Sequence, residues 1–186
     1  MRNLIILVLV LVSCSTTPLV AEILSHHESS VALDRLFASL HSSPDGAEAA
    51  ETERQIWLLW SHDADPQAVA LLDEATAAMA ISQTDLAEQK LIKLVTAYPD
   101  FAEGWNRRAT LYFNEGRMDD SLADIARVLA LEPRHFGALS GEAMILLAQG
   151  KKMEALPVVR DALAVNPHIA GLRLVLQKLE KLQPEL

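Results

Sequence analysis

The sequence predicts an all-α fold: a solenoid of three stacked helical hairpins, with a helical pair ahead of it and a capping helix behind. The first observation is a repeat. Trp105, Ala109, Tyr112, Gly116, Ser121, Ile125, Val128 and Pro133 return 34 residues later as Leu139, Ala143, Leu146, Gly150, Ala155, Val159, Ala162 and Pro167. They occur 34 residues earlier as Leu71, Ala75, Ala78, Ser82, Ala87, Leu91, Leu94 and Pro99. A fixed period of this length marks stacked units, because one short hairpin cannot bury its apolar face alone. The second observation is the spacing within the period. Trp105, Ala109 and Tyr112 lie at i, i+4 and i+7, and Leu122, Ile125, Val128 and Leu129 form a matching stripe, so each unit is a pair of antiparallel helices. The third is composition: 51% of residues are hydrophobic but only 5% aromatic, which suits helix packed on helix better than a sheet.

Taken in order, the chain of 186 residues reads as one domain preceded by an export signal. In residues 1–21, Arg2 precedes nine apolar residues, Leu4 to Val12, and then small and polar ones. That run is shorter than the roughly 20 residues needed to span a bilayer. Cleavage before Cys14 and cleavage after Ala21 both fit. Residues 22–30 are polar and without period, so they read as a linker; His26 and His27 are adjacent on it and lack a third ligand for a metal, so none is expected.

Residues 31–62 form the N-terminal helical pair. Val31, Leu33, Leu36, Phe37 and Leu40 share one face, Ser43 is placed to cap a second helix, and Pro44 to occupy its first turn. Ile56, Trp57, Leu59 and Trp60 then make a large apolar patch. Two uses stand for it: covering the end of the first repeat, or docking a partner.

Asp65-Pro66 supplies a cap and a fixed first turn for repeat 1, residues 68–101. Repeat 2 is 102–135 and repeat 3 is 136–169. Gly116 and Gly150 fall where each first helix must end and reverse, and Pro133 and Pro167 close each second helix. Pro157 either removes a hydrogen bond from the last second helix or marks its late start. Residues 170–183 form the amphipathic capping helix.

These residues resemble the tetratricopeptide repeat, with its pattern of Trp, Leu-Gly, Tyr, Ala, Phe and Pro over 34 residues. The resemblance covers Ala68 to Ile169 and implies a right-handed solenoid that binds proteins or peptides on a concave face lined by the first helix of each hairpin. The ligand-facing positions it implies are Glu103, Asn106, Arg107, Thr110, Phe113 and Asn114 in the middle repeat. In the first they are Val69, Leu72, Asp73, Thr76, Met79 and Ala80, and in the third Gly137, Ser140, Gly141, Met144, Leu147 and Ala148. Some family members hold a peptide's terminal carboxylate with Lys and Asn; here Asn106 and Arg107 are present without a matching Lys. One position departs from the family, which usually has an apolar residue three after the Trp. Glu74, Arg108 and Glu142 stand there, either as a charge ladder between stacked first helices or as three solvated side chains.

The sequence also excludes some chemistry. It contains no glycine-rich phosphate loop, zinc-binding His-Glu-x-x-His or Gly-x-Ser-x-Gly elbow. Asp119, Asp120 and Asp124 read as a solvated edge, and His135 and His168 as turn residues. A net charge of −9 spread along the chain repels phosphate backbones, and a single cysteine excludes an intramolecular disulfide. No enzyme activity, cofactor, metal or nucleic acid is expected. Leu11-Val12-Ser13-Cys14 resembles the lipobox of bacterial lipoproteins, which implies lipidation at Cys14 and membrane attachment through that anchor. The expectation is thus an exported, non-catalytic scaffold in the periplasm or outer envelope. The alternative is a structural accessory subunit of an envelope complex whose groove is filled by its own chain.

Overall fold

The computed structural model describes residues 18–44, 46–62 and 64–182. Residues 1–17, including Cys14 and most of the predicted signal, lie outside the described residues. Among the described residues all regular structure is helical: α1 (Pro18–Ser42), α2 (Gly46–His62), α3 (Pro66–Ala80), α4 (Thr84–Ala97), α5 (Ala102–Asn114), α6 (Met118–Leu131), α7 (Phe136–Ala148), α8 (Lys152–Val165) and α9 (Ala170–Leu182). The second helices begin at 84, 118 and 152, and α5, α7 and α9 at 102, 136 and 170, so the 34-residue period of the sequence is also the period of the backbone.

Local chemistry places each boundary. The Asp65 side chain accepts from the Gln67 amide at 2.7 Å and Pro66 fixes the first turn of α3. Each first helix ends in a left-handed residue: Ser82 at φ 59°, Gly116 at 77° and Gly150 at 74°. The reversal lets Gln83, Arg117 and Lys151 donate to the carbonyls of Ala78, Tyr112 and Leu146, closing the last turn of each helix. Pro157 lies inside α8, so the helix starts on schedule and forgoes one hydrogen bond.

Packing between hairpins is apolar and close. Ala75, Ala109 and Ala143 are buried on the face where each first helix meets its partner, and Leu91, Leu94, Val128 and Val159 are fully enclosed opposite them. At roughly 25 cal/mol per Å2 of apolar surface, such interfaces are the main source of the solenoid's stability. The register continues into α9, but its content changes. The positions held by Trp105, Ala109 and Tyr112 in α5 are Arg173, Gln177 and Glu180 in α9, so α9 buries Leu172 and Leu179 against α8 and turns a polar face outward.

Three expectations about the N-terminal region are corrected. Residues 22–30 are not an irregular linker; α1 runs through them, and they contain neither Gly nor Pro to interrupt it. Ser43 does not cap α2: its hydroxyl donates back to the Ser39 carbonyl at 3.0 Å and finishes α1. The helical pair does not bury its tryptophans on the end of the first repeat. Trp60 packs with Phe37, Leu40, Ile56 and Phe136, at the entrance of the third hairpin.

Candidate functional site

The concave face has two halves with different occupants. In the half nearest the starts of α5 and α7, α2 lies across the surface. Glu103 and His135 are both fully buried beneath it. His135 Nδ1 accepts from the Ala138 amide at 3.1 Å, which leaves Nε2 to donate to Glu103 Oε2 at 3.2 Å. Asn106 Nδ2 donates to the same oxygen at 2.9 Å, and Arg107 to Oε1 at 2.9 Å. A buried carboxylate is tolerable because it is surrounded by donors and a cation in this way.

The indoles of α2 close the cluster. Trp60 stacks on the His135 imidazole with ring centres 4.2 Å apart and planes 12° from parallel, and Trp57 meets the same ring edge-on at 5.3 Å. A Cβ at Gly137 would come within 2.5 Å of the Trp57 ring, so the missing side chain there is the space that Trp57 fills. Around this seam His41 Nε2 lies 2.7 Å from the Ala164 carbonyl, His168 Nε2 2.9 Å from the Leu40 carbonyl, and Asn166 donates to Glu53 at 2.9 Å. Arg134 pairs with Asp34 at 2.6 Å.

The other half is an open cleft of about 200 Å3 between α5 and α7. Asn106, Thr110 and Phe113 form one wall and Ser140, Gly141 and Met144 the other, over a floor that includes Ala109, Ile125 and Ala138. Its surface is mostly apolar. Ser140 donates to the Phe136 carbonyl at 2.6 Å and Thr110 to the Asn106 carbonyl at 3.0 Å, so both hydroxyls are spent on their own helices. Met144 is 50% exposed, a flexible apolar side chain at the rim.

The sequence-derived positions therefore separate. Asn106, Thr110, Phe113, Ser140 and Met144 meet in the cleft, whereas Glu103 and Arg107 serve the buried cluster. Asp73 is exposed and Thr76 half-buried, neither lining the cleft; Met79 packs on the core of the first hairpin and Leu147 on the cluster around α9. No ladder links Glu74, Arg108 and Glu142. Glu74 pairs with Lys90, and Arg108 grips Asp124 through two bonds of 2.7 Å. Both pairs span 16 residues, from the first to the second helix of one hairpin, where each first helix makes its most extensive packing. Asp124 is thus buried and paired, a correction to its reading as a solvated residue, while Asp119 and Asp120 do stand exposed in the first turn of α6. The same offset from Glu142 reaches Val158, and burial, with Asp161 nearby, pushes the Glu142 carboxyl above its usual range.

His135 is the residue that sequence reasoning missed. Its proline-flanked position marks a turn, and its partner is Glu103, 32 residues away at the other end of the same repeat.

The comparisons with known proteins agree with this geometry. A family model described as tetratricopeptide repeat matches residues 72–135. A TPR repeat-containing protein of Rhizobium etli is 37% identical over 135 residues, covering 73% of this chain and 66% of the relative. Residues 72–135 thus match the tetratricopeptide-repeat family. The chain spans just under two thirds of that relative's length. Among solved structures, the first TPR domain of Spaghetti (RPAP3), bound to the HSP90 peptide SRMEEVD, superposes with TM-score 0.59 at 21% identity over 65% of this chain and 99% of its own. The Sgt2 TPR domain of Aspergillus fumigatus gives 0.58 at 17% identity, over 65% and 82%. The P58(IPK) TPR domain gives 0.57 at 20%, over 88% and 44%. These three likenesses show the shared solenoid fold.

Proposed function

We propose that this TPR protein is a non-catalytic adaptor that seats an apolar side chain of a protein or peptide in the cleft between α5 and α7. The observation that carries the reading is that cleft: a mostly apolar, open recess on the face that TPR folds use for interaction, walled by Phe113 and Met144. Arg107 is committed to Glu103, so the terminal-carboxylate mode of some relatives has no free cation at this position.

A second reading, a structural accessory subunit with a self-filled groove, is favoured in the other half of the face, where Trp57 and Trp60 occupy the surface. The two readings part at Met144. A photoreactive residue placed there should crosslink a discrete partner in intact cells, while the same residue at exposed Ile92, on a second helix, should not. Equal yields, or no product from position 144, overturn the adaptor reading.

We also propose export with a lipid anchor at Cys14. Cleavage before Cys14 would leave α1 whole, whereas cleavage after Ala21 would remove its first turn. Among the described residues no helix is long and apolar enough to cross a membrane. Palmitate label that is absent from the wild type, or that survives Cys14→Ser, overturns the anchor.

A further inference from the structure

The seam between the N-terminal hairpin and the repeats combines an apolar cluster with unmet hydrogen-bonding groups. Among the described residues two buried side-chain nitrogens lack a hydrogen-bond partner, Trp60 Nε1 and Arg107 Nε, and both lie at this seam. A buried donor without an acceptor is a standing cost of the closed arrangement. The seam is otherwise held by the buried cluster of Phe37, Leu40, Ile56, Trp60 and Phe136, by the Arg134–Asp34 pair, and by side chains reaching across: His41 to Ala164, His168 to Leu40, Asn166 to Glu53. Between hairpins close-packed Ala, Leu and Val are joined by ion pairs that find their partners, Arg117 with Glu88 and Arg127 with Asp100.

The slot is nevertheless shaped. Gly137 leaves room for one indole, and the flat face of His135 receives a second at 4.2 Å. In the same cluster Arg107, bonded to Glu103, holds one buried donor without a partner. The chain's own α2 meets the shape requirement and fails the hydrogen-bonding one, since it brings no acceptor to Arg107 Nε and finds none for its own indole N–H.

We propose that the α1–α2 hairpin is a displaceable strap, and that the slot beneath it receives, in its place, a partner's amphipathic helix bearing two large aromatic side chains about one turn apart. This inference rests on the adaptor reading and lengthens its site. With the strap lifted, the slot and the Phe113–Met144 cleft form one continuous concave surface, joined at Asn106 and Gly137. A partner helix that also places an amide oxygen near Arg107 Nε supplies the bond α2 omits, which is how it would compete with a segment held at high local concentration.

The probe is a fluorescein-labelled synthetic peptide of residues 44–62, the strap's own second helix. In anisotropy titrations the full-length Trp57→Ala/Trp60→Ala chain should bind it saturably and at least tenfold more tightly than the wild type, whose slot is occupied. Adding Gly137→Leu to the double variant should abolish binding. Equal binding by wild type and double variant, or no binding to a double variant of native helicity, overturns the strap. Should the double variant lose helicity, native-state hydrogen exchange on the wild type decides. Amides of α2 exchanging at least tenfold faster than those of α5 to α8 support the strap; exchange of all helices in one global step overturns it. The peptide reads the slot and the Met144 crosslink reads the cleft, so the two failures are distinguishable.

Discussion

Two tryptophans in this molecule sit on two kinds of surface. Trp105 belongs to the repeats: its Nε1 donates to the Pro99 carbonyl at 2.9 Å, and the guanidinium of Arg108 lies 4.9 Å over its ring. Trp60 belongs to the strap: it is as well stacked, on His135, but its Nε1 is buried without an acceptor. The repeat tryptophan finds an acceptor on its own solenoid; the strap tryptophan satisfies shape and leaves its donor over. Repeated units that contact only their neighbours settle into one mutually consistent arrangement, whereas a hairpin laid across several of them must match a surface whose period is not its own.

Predictions follow from this contrast in descending size. Asp124→Ala leaves the half-buried Arg108 without its two 2.7 Å bonds, and should cost about 3–5 kcal/mol in global stability by urea denaturation. A loss under about 1 kcal/mol would mean the hairpins are not held by their internal ion pairs. Next are the paired indoles. Trp105→Phe removes a made hydrogen bond as well as ring volume and should cost about 1–2 kcal/mol more than the packing loss alone, while Trp60→Phe removes an orphaned N–H and should cost only the packing loss of about 1 kcal/mol. Equal costs would erase the distinction between the two surfaces.

The smallest effect concerns Glu142, where the intra-hairpin pairing of the first two repeats lapses. Burial raises its folded-state pKa above the unfolded value, so the charged form is penalised at neutral pH, and the penalty fades as pH falls through the folded pKa. Glu142→Gln should therefore raise the thermal midpoint at pH 7 and lose that advantage below about pH 4. An advantage that persists or grows in acid would contradict the burial.

Much of this architecture could be read from the residues alone. The period, the left-handed turns at Gly116 and Gly150, the Asp65-Pro66 start and the alanine seams are local rules repeated in phase, and repetition makes them legible. The destination of the N-terminal pair was not legible, because an apolar stripe such as Ile56, Trp57 and Trp60 says that a helix is buried but not against what. Charges at matching positions of successive repeats suggested a ladder, yet the pairing runs across one hairpin, and the complementary pairs Glu74–Lys90 and Arg108–Asp124 were present at an offset of 16. His135 had no sequence signal, since its role depends on a carboxylate at the far end of its own repeat and on two indoles from another element.

The outward face of α9 bears on how this protein behaves at high concentration. A solenoid whose final helix displayed Leu, Ala and Leu where Arg173, Gln177 and Glu180 stand would offer the next molecule a sticky step, and a head-to-tail contact that never closes on itself builds fibres. Three polar side chains at the stacking positions make this face of α9 a poor seat for the first helix of another copy.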